Sequence, residues 1–171
     1  MKKKILIIFG DPCSINSEII FKSWRKISNQ LKKNIIIIGN INLLQKQFKK
    51  LGYKINLHQI NDINFNFKSN SLKVINIKLN FDNPFKIEKN KLKKYIRQSF
   101  NVAHKILNNN KNVGGLINCP ISKNLLGNTG LGVTEYLASK CLIKKNSEVM
   151  IIRNSKLAVS PLTTHILLKD V

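Results

Sequence analysis

The chain has 171 residues, of which 43% are apolar, and this is enough to bury the core of one domain and argues against disorder. The formal net charge of +22 would suit a nucleic-acid-binding protein, but nearly all of the excess is lysine, scattered over the solvent faces of several predicted helices instead of forming one stripe. No apolar run approaches the roughly 20 residues that a membrane-spanning helix needs, so we expect neither a membrane nor a nucleic-acid partner.

The three cysteines indicate a reducing compartment. Cys13, Cys119 and Cys141 are odd in number, lie far apart and form no CxxC pair, which excludes a disulfide framework and a zinc knuckle. The basic start followed by the apolar run 5–9 is similar to a signal peptide, but the run is too short and Gly10 interrupts it. We therefore expect a cytoplasmic protein.

Strand and helix signals alternate through the first two thirds of the chain. We predict strands and helices from β-branched runs and from apolar residues at helical spacing. The first helix begins at Asn16 or Ser17 as its cap and continues to Leu31. The predicted elements are strand 4–9, that helix, strand 34–39, helix 43–51, strand 54–60, loop 61–70, strand 72–79 and helix 88–107. This order predicts a parallel sheet in an α/β fold.

The last third begins with a short apolar segment that leads into a polar, glycine-rich loop, which is how α/β enzymes build ligand sites. We predict a buried strand at 115–118, a helical turn at 122–126, a helix at 134–142 and a pair of adjacent strands at 148–153 and 157–160. The chain ends on the apolar run that precedes Val171. We therefore expect it to be a fragment of a longer protein.

Acidic residues are rare, and half of them lie in or beside loops that follow predicted strands. There are eight Asp and Glu residues in all, and these four are Asp11, Glu18, Glu135 and Asp170. The segment Gly10-Asp11-Pro12 can hold a ligand with its backbone amides and its carboxylate, or it can be a plain turn that caps the next helix. The motif by itself favours the turn.

One histidine lies where a metal ligand is useful. His165 follows Thr163-Thr164 after a predicted strand, so its imidazole can project from the carboxyl end of the sheet and bind a divalent metal. A lone histidine is more often structural, and catalytic zinc needs about three protein ligands. His58 in a predicted strand and His104 in the long helix have only a structural interpretation.

Four motifs in order resemble those of a known enzyme family. They are Gly10-Asp11-Pro12, Cys-Pro-Ile-Ser-Lys at 119–123, Gly-Val-Thr-Glu at 132–135, and Thr-Thr-His at 163–165 with Leu-Lys-Asp at 168–170. Together they resemble the 4-hydroxythreonine-4-phosphate dehydrogenases of pyridoxal phosphate biosynthesis. The resemblance implies a three-layer α/β/α fold akin to isocitrate and isopropylmalate dehydrogenases, of which this chain is the N-terminal portion. Residues 1–120 would form the first subdomain and 121–171 the truncated beginning of the second.

The resemblance also implies a reaction and a set of site residues. NAD or NADP would take a hydride from the substrate's secondary alcohol beside a divalent zinc, magnesium or cobalt ion, and the product would lose carbon dioxide. The active site would lie in a cleft near the interface of a homodimer. His165 matches the first of three metal-binding histidines and Thr134 matches a substrate-contacting threonine. Lys123 and Asp11 match motif positions and are candidate substrate-binding residues, whereas no catalytic or cofactor-binding residue is assigned.

Two departures from the family pattern leave other functions open. Val133 stands where the family has a substrate-binding histidine, and the first loop reads Gly-Asp-Pro-Cys-Ser-Ile-Asn-Ser-Glu at 10–18, without two glycines of the family pattern. A sister dehydrogenase that decarboxylates another hydroxy acid is therefore a second hypothesis. A non-catalytic, basic α/β module that binds nucleotides or nucleic acid is a third.

Overall fold

A computed structural model describes residues 3–64, 70–126, 132–141, 149–161 and 169. The chain divides into two compact units, Met1–Gly130 and Leu131–Val171. The subdomain boundary that we place after residue 120 stays a prediction. Among the described residues, no helix is both long and apolar enough to cross a membrane.

The first unit is built on a five-stranded parallel sheet. The strands are β1 (Lys4–Ile8), β2 (Ile35–Gly39), β3 (Leu57–Gln59), β4 (Leu72–Asn76) and β5 (Val113–Asn118), in the order β3-β4-β2-β1-β5. The helices are α1 (Asn16–Lys26), α2 (Asn29–Lys32), α3 (Ile41–Lys50) and α4 (Lys89–Asn109), and a 3₁₀ turn spans Lys123–Leu125. Every strand pair is parallel. The predicted α/β fold and parallel sheet are confirmed.

The two faces of the sheet carry different helices. Trp24 of α1 and Phe48 of α3 are buried in one cluster with Ile37 of β2. On the other face, Tyr95 of α4 is buried against the end of β2, where Gly39 allows its hydroxyl to approach. Because successive side chains of a strand point to opposite faces, the continuous Ile run of β2 serves both layers. The first unit is therefore a three-layer α/β/α structure, as predicted.

The structure corrects the prediction for the first helix. Asn16 is the first residue of α1, its cap is Ile15 without a side-chain bond, and the helix ends at Lys26 instead of continuing to Leu31. Ser28 then begins the separate helix α2, with its hydroxyl accepting a hydrogen bond from the Leu31 amide. The apolar spacing continues through the break, so periodicity alone does not reveal it. A local side-chain bond from serine competes with the helix and restarts it.

The prediction of a buried strand near residue 115 is also wrong in one respect. β5 forms as expected, but among the described residues it pairs only with β1, and Ile117 is 53% exposed. An apolar and glycine-rich run predicts a strand, but it does not distinguish a strand at the centre of a sheet from one at its edge.

The described residues of the second unit form one helix and one strand pair. Helix α5 spans Val133–Lys140, and β6 (Ile152–Arg153) pairs antiparallel with β7 (Ala158–Val159). The predicted helix and the predicted strand pair are both confirmed, with shorter bounds.

Candidate functional site at the carboxyl ends of the strands

The loops that follow β1 and β5 are joined by hydrogen bonds. The Asp11 amide donates to the Pro120 carbonyl oxygen over 3.2 Å. The Asn16 side-chain amide donates to the same oxygen over 2.9 Å and to the Asp11 carbonyl oxygen over 3.0 Å. The segment Gly10-Asp11-Pro12 and the segment 119–123 therefore form one structural unit, because their parent strands are neighbours in the sheet.

Gly10 is the residue that permits this contact. Its φ of +77° lies in the left-handed region, and a Cβ atom there would lie 2.7 Å from the Pro120 oxygen and 2.9 Å from the Cys119 oxygen. Both neighbours are backbone atoms, which cannot rotate away as a side chain can. Only glycine combines this backbone conformation with this close approach.

Gln47 connects the same loop to the segment that follows β4. Its side-chain nitrogen donates to the carbonyl oxygens of Pro12, over 2.8 Å, and Pro84, over 2.6 Å, and its side-chain oxygen accepts from the Ser17 hydroxyl. Gln47 and Ser17 are both buried. The sequence analysis did not identify this residue, although a glutamine on the apolar face of a predicted helix was an available signal.

A second buried network holds the carboxyl ends of β2 and β4. The Asn40 side chain accepts from the Leu43 amide and donates to the Ile77 carbonyl oxygen, each over 2.8 Å. The Asn76 side chain accepts from the Ile41 amide over 3.0 Å. The Asn40 backbone amide donates to the Tyr95 hydroxyl oxygen over 3.2 Å. Burial raises the pKa of that hydroxyl, which therefore stays neutral. These bonds hold the carboxyl edge of the sheet in one arrangement.

Of the four predicted site residues, Asp11 and Lys123 lie on the two joined loops, and the other two lie elsewhere in the chain. Asp11 is half-buried, and its carboxylate accepts from the Cys13 amide over 2.9 Å, which is the geometry of an Asx turn and supports the turn interpretation of its motif. Lys123 is exposed and begins the 3₁₀ turn on the adjoining loop. Thr134 is an exposed residue in the first turn of α5, in the second unit. His165 lies outside the described residues.

One buried polar atom in this site has no partner. Asn16 is fully buried, and within the described part of the chain its side-chain oxygen accepts no hydrogen bond. A buried acceptor without a donor costs free energy.

The cysteines of these loops are not activated as nucleophiles. Burial raises the pKa of Cys119 to about 11. Cys13 is exposed as a residue, but partial desolvation of its thiol also raises its pKa. The thiolate is the reactive form of cysteine, so both side chains stay protonated near neutral pH.

The described residues do not form a metal site. Across 3–64, 70–126, 132–141 and 149–161, no three histidine, cysteine or acidic side chains lie close enough together to hold an ion. The metal ligand proposed at His165 is outside these ranges.

Comparison with known proteins identifies related sequences along the whole chain. The family model described as pyridoxal phosphate biosynthetic protein PdxA matches residues 30–171. A 4-hydroxythreonine-4-phosphate dehydrogenase from Sulfurihydrogenibium sp. (strain YO3AOP1) is 35% identical over 98% of this chain and 51% of its own length. The Aquifex aeolicus (strain VF5) protein of the same name is 31% identical over 100% of this chain and 52% of its own length. The chain spans about half the length of these relatives.

Solved structures show the same fold. The chain is similar to 4-hydroxythreonine-4-phosphate dehydrogenases from Klebsiella pneumoniae, with a TM-score of 0.82 and 23% identity, and from Burkholderia phymatum, with a TM-score of 0.82 and 22% identity. The matches cover 98% and 99% of this chain and 53% and 52% of the solved chains. At these identities the likeness concerns the fold alone.

Proposed function

This chain belongs to the PdxA family of pyridoxal phosphate biosynthetic proteins, and from that premise we propose that it supplies half of the active site of a 4-hydroxythreonine-4-phosphate dehydrogenase. The proposed reaction oxidises 4-phosphohydroxy-L-threonine with NAD or NADP and releases carbon dioxide, within vitamin B6 biosynthesis. The observation that carries the proposal is the junction at Pro120, where two ordered family motifs meet at the carboxyl edge of the sheet.

The described side chains suit a small anionic substrate. Lys123 places an exposed ammonium group on the loop after β5, and such a group binds phosphate or carboxylate as a point charge. Thr134 offers a hydroxyl that both donates and accepts hydrogen bonds. Asp11 shapes its loop through the bond from the Cys13 amide, so its proposed role is to hold the substrate-facing backbone in place.

The cofactors and the assembly are further parts of the proposal. The nicotinamide accepts the hydride. His165 contributes one ligand to a divalent zinc, magnesium or cobalt ion, and the other ligands come from the part of the family's length that this chain does not span. The described residues contain no cluster of side chains that could hold a metal ion. We also propose a cytoplasmic homodimer.

A chimera tests this function directly. In the chimera, this chain is followed by the second half of the Sulfurihydrogenibium relative. The chimera is expressed in a bacterial strain that lacks its own 4-hydroxythreonine-4-phosphate dehydrogenase, and the strain is grown without pyridoxine. We expect growth with the chimera and none with the 171-residue chain alone. In vitro, the chimera should reduce NAD with 4-phosphohydroxythreonine at roughly 1 per second or faster. A folded, dimeric chimera that shows neither growth nor turnover contradicts the proposal.

Val133 supports a second candidate function. It is the half-buried first residue of α5, at the position where the family pattern has histidine. An isopropyl group packs against apolar surface and forms no hydrogen bond with a polar substrate. A sister dehydrogenase acting on another hydroxy acid is therefore the alternative, and oxidation of such an acid in preference to 4-phosphohydroxythreonine would support it.

A further inference from the structure

A groove lies near the amino ends of the strands, at the opposite end of the sheet from the loops that follow β1 and β5. It is open to solvent and has a volume of about 620 Å³, between the last turns of α3 and the segment that leads into β3, and its lining includes Gln45, Lys49, Tyr53, Lys54 and Asn56. The Asn56 carbonyl oxygen accepts from the Leu72 amide at the start of β4, which places this segment at the amino ends of the strands. The groove is therefore separate from the site described above.

Tyr53, which lines this groove, packs against two other aromatic rings. Its ring stacks on Phe21 of α1 with the centroids 4.0 Å apart and the planes within 2°. Phe48 of α3 packs against the same ring at a tilt of 56°, with the centroids 6.3 Å apart. Tyr53 itself is partly exposed and is one of the residues that line the groove. Such a ring stacks on another planar ring at little cost in side-chain entropy.

The charge around the groove favours an anion. Lys49 and Lys54 line it and are exposed, and none of its lining residues is acidic. Glu18, on the neighbouring helix α1, is paired with Lys22. The amides of Gln45 and Asn56 add donors and acceptors that can bind the edge of a heterocyclic ring.

We propose that this groove binds a nucleoside monophosphate, with its base stacked on Tyr53 and its phosphate between the ammonium groups of Lys49 and Lys54. The volume of this open groove, about 620 Å³, lies within the roughly 300–1,000 Å³ of small-molecule sites. Binding of single-stranded nucleic acid requires successive accessible aromatic rings along a basic track, whereas of the two aromatic residues that line this groove Phe48 is buried and Tyr53 is partly exposed. The ligand is therefore a single nucleotide, and its binding is independent of the dehydrogenase function proposed above.

A nuclear magnetic resonance titration of the 171-residue chain tests the proposal. Adenosine monophosphate should shift the amides of residues 45–56, and adenosine or inorganic phosphate alone should bind at least about tenfold more weakly. The Lys49→Gln/Lys54→Gln variant should bind the nucleotide at least about tenfold more weakly than the unaltered chain. The control variant Lys89→Gln/Lys94→Gln removes the same charge from exposed positions of α4 and should bind within about twofold of the unaltered chain.

Three results would overturn the proposal. An equal loss of affinity in both double variants would mean that the net charge of +22 attracts the nucleotide without a site. Shifts confined to residues outside 45–56 would place the nucleotide elsewhere. Tighter binding of an oligonucleotide of several bases would indicate a nucleic-acid surface.

A Tyr53→Leu variant should lose the preference for the nucleotide over inorganic phosphate. If that variant does not fold, the comparison of the two lysine double variants decides the question.

Discussion

The side-chain amide of Asn16 donates a hydrogen bond of 2.9 Å to the carbonyl oxygen of Pro120, a residue 104 positions later in the chain. This bond holds the loop after β1 against the loop after β5.

Replacing Asn16 by alanine should lower the free energy of unfolding by about 1–3 kcal/mol, because two hydrogen bonds of roughly 0.5–1.5 kcal/mol each, to the partly buried carbonyl oxygens of Asp11 and Pro120, are lost. Urea unfolding followed by circular dichroism measures the change. The matched control is Asn42→Ala, at an exposed position of α3, which should alter stability by less than about 0.5 kcal/mol. Equal effects of the two substitutions would show that the bonds to Asp11 and Pro120 contribute nothing.

Gly10 and Gly52, which have positive φ, should respond differently to alanine. At Gly52 a Cβ atom meets nothing within 4 Å, so only the backbone conformation, with φ of +70°, is unfavourable, at a cost of about 1–2 kcal/mol. At Gly10 the same kind of conformation is combined with contacts of 2.7 and 2.9 Å to backbone oxygens. Gly10→Ala should therefore cost at least about 1 kcal/mol more than Gly52→Ala in the same urea experiment. Indistinguishable midpoints would mean that the loop at Pro120 moves freely.

Cys119 should resist alkylation while the protein is folded. Cys13 and Cys141 are exposed, whereas Cys119 is buried with its pKa raised to about 11. At pH 8, iodoacetamide followed by mass spectrometry should modify the two exposed thiols and leave Cys119 unmodified until urea is added. Modification of all three at similar rates would contradict the burial of the Cys119 side chain.

The same thiol should make stability depend on alkaline pH. The folded pKa of about 11 lies above the ordinary 9.0, so the contribution is fully present below pH 9 and is lost as the pH rises through about 11. The difference in unfolding free energy between the unaltered chain and Cys119→Val should therefore fall across this range. A difference that stays constant from pH 8 to pH 11 would contradict the raised pKa.

His165→Ala in the chimera should weaken zinc binding by at least about tenfold, because a lost imidazole ligand is not replaced. Isothermal titration with zinc measures this affinity. The control is His104→Ala, which removes an imidazole from helix α4 and should leave the affinity unchanged. A loss smaller than tenfold at His165, or the same loss at His104, would assign His165 a structural role.

Val133→His in the chimera distinguishes the two enzymatic functions. If the protein uses 4-phosphohydroxythreonine, the restored imidazole should add a charge-assisted hydrogen bond of roughly 1.5–3 kcal/mol and raise kcat/KM about tenfold to a hundredfold. If the site instead fits another hydroxy acid, the same change should reduce activity on that acid by crowding. Steady-state kinetics with both substrates separates these outcomes, and no gain on 4-phosphohydroxythreonine would favour the sister dehydrogenase.

The sequence by itself determined the order of the strands and of the helices α1, α3 and α4, the parallel sheet and the segments on which Asp11 and Lys123 lie, whereas it did not separate α2 from α1. These properties follow from local patterns: β-branched runs for the strands, apolar spacing for α4, and glycine and proline at the strand ends. The family motifs belong to the same class of information, because each occupies a few consecutive residues.

Only the tertiary structure decided which of these loops meet and which polar side chains hold them. Gln47 is one glutamine among many polar residues until the fold places it between Pro12 and Pro84. Lys73, unlike the exposed lysines of the helices, is buried within β4, where its ammonium group donates to the Lys33 carbonyl oxygen. The edge position of β5 likewise depends on the order of strands in the sheet. A hydrogen bond between residues far apart in sequence depends on that order, and periodicity within one segment carries no information about the segment that will lie beside it.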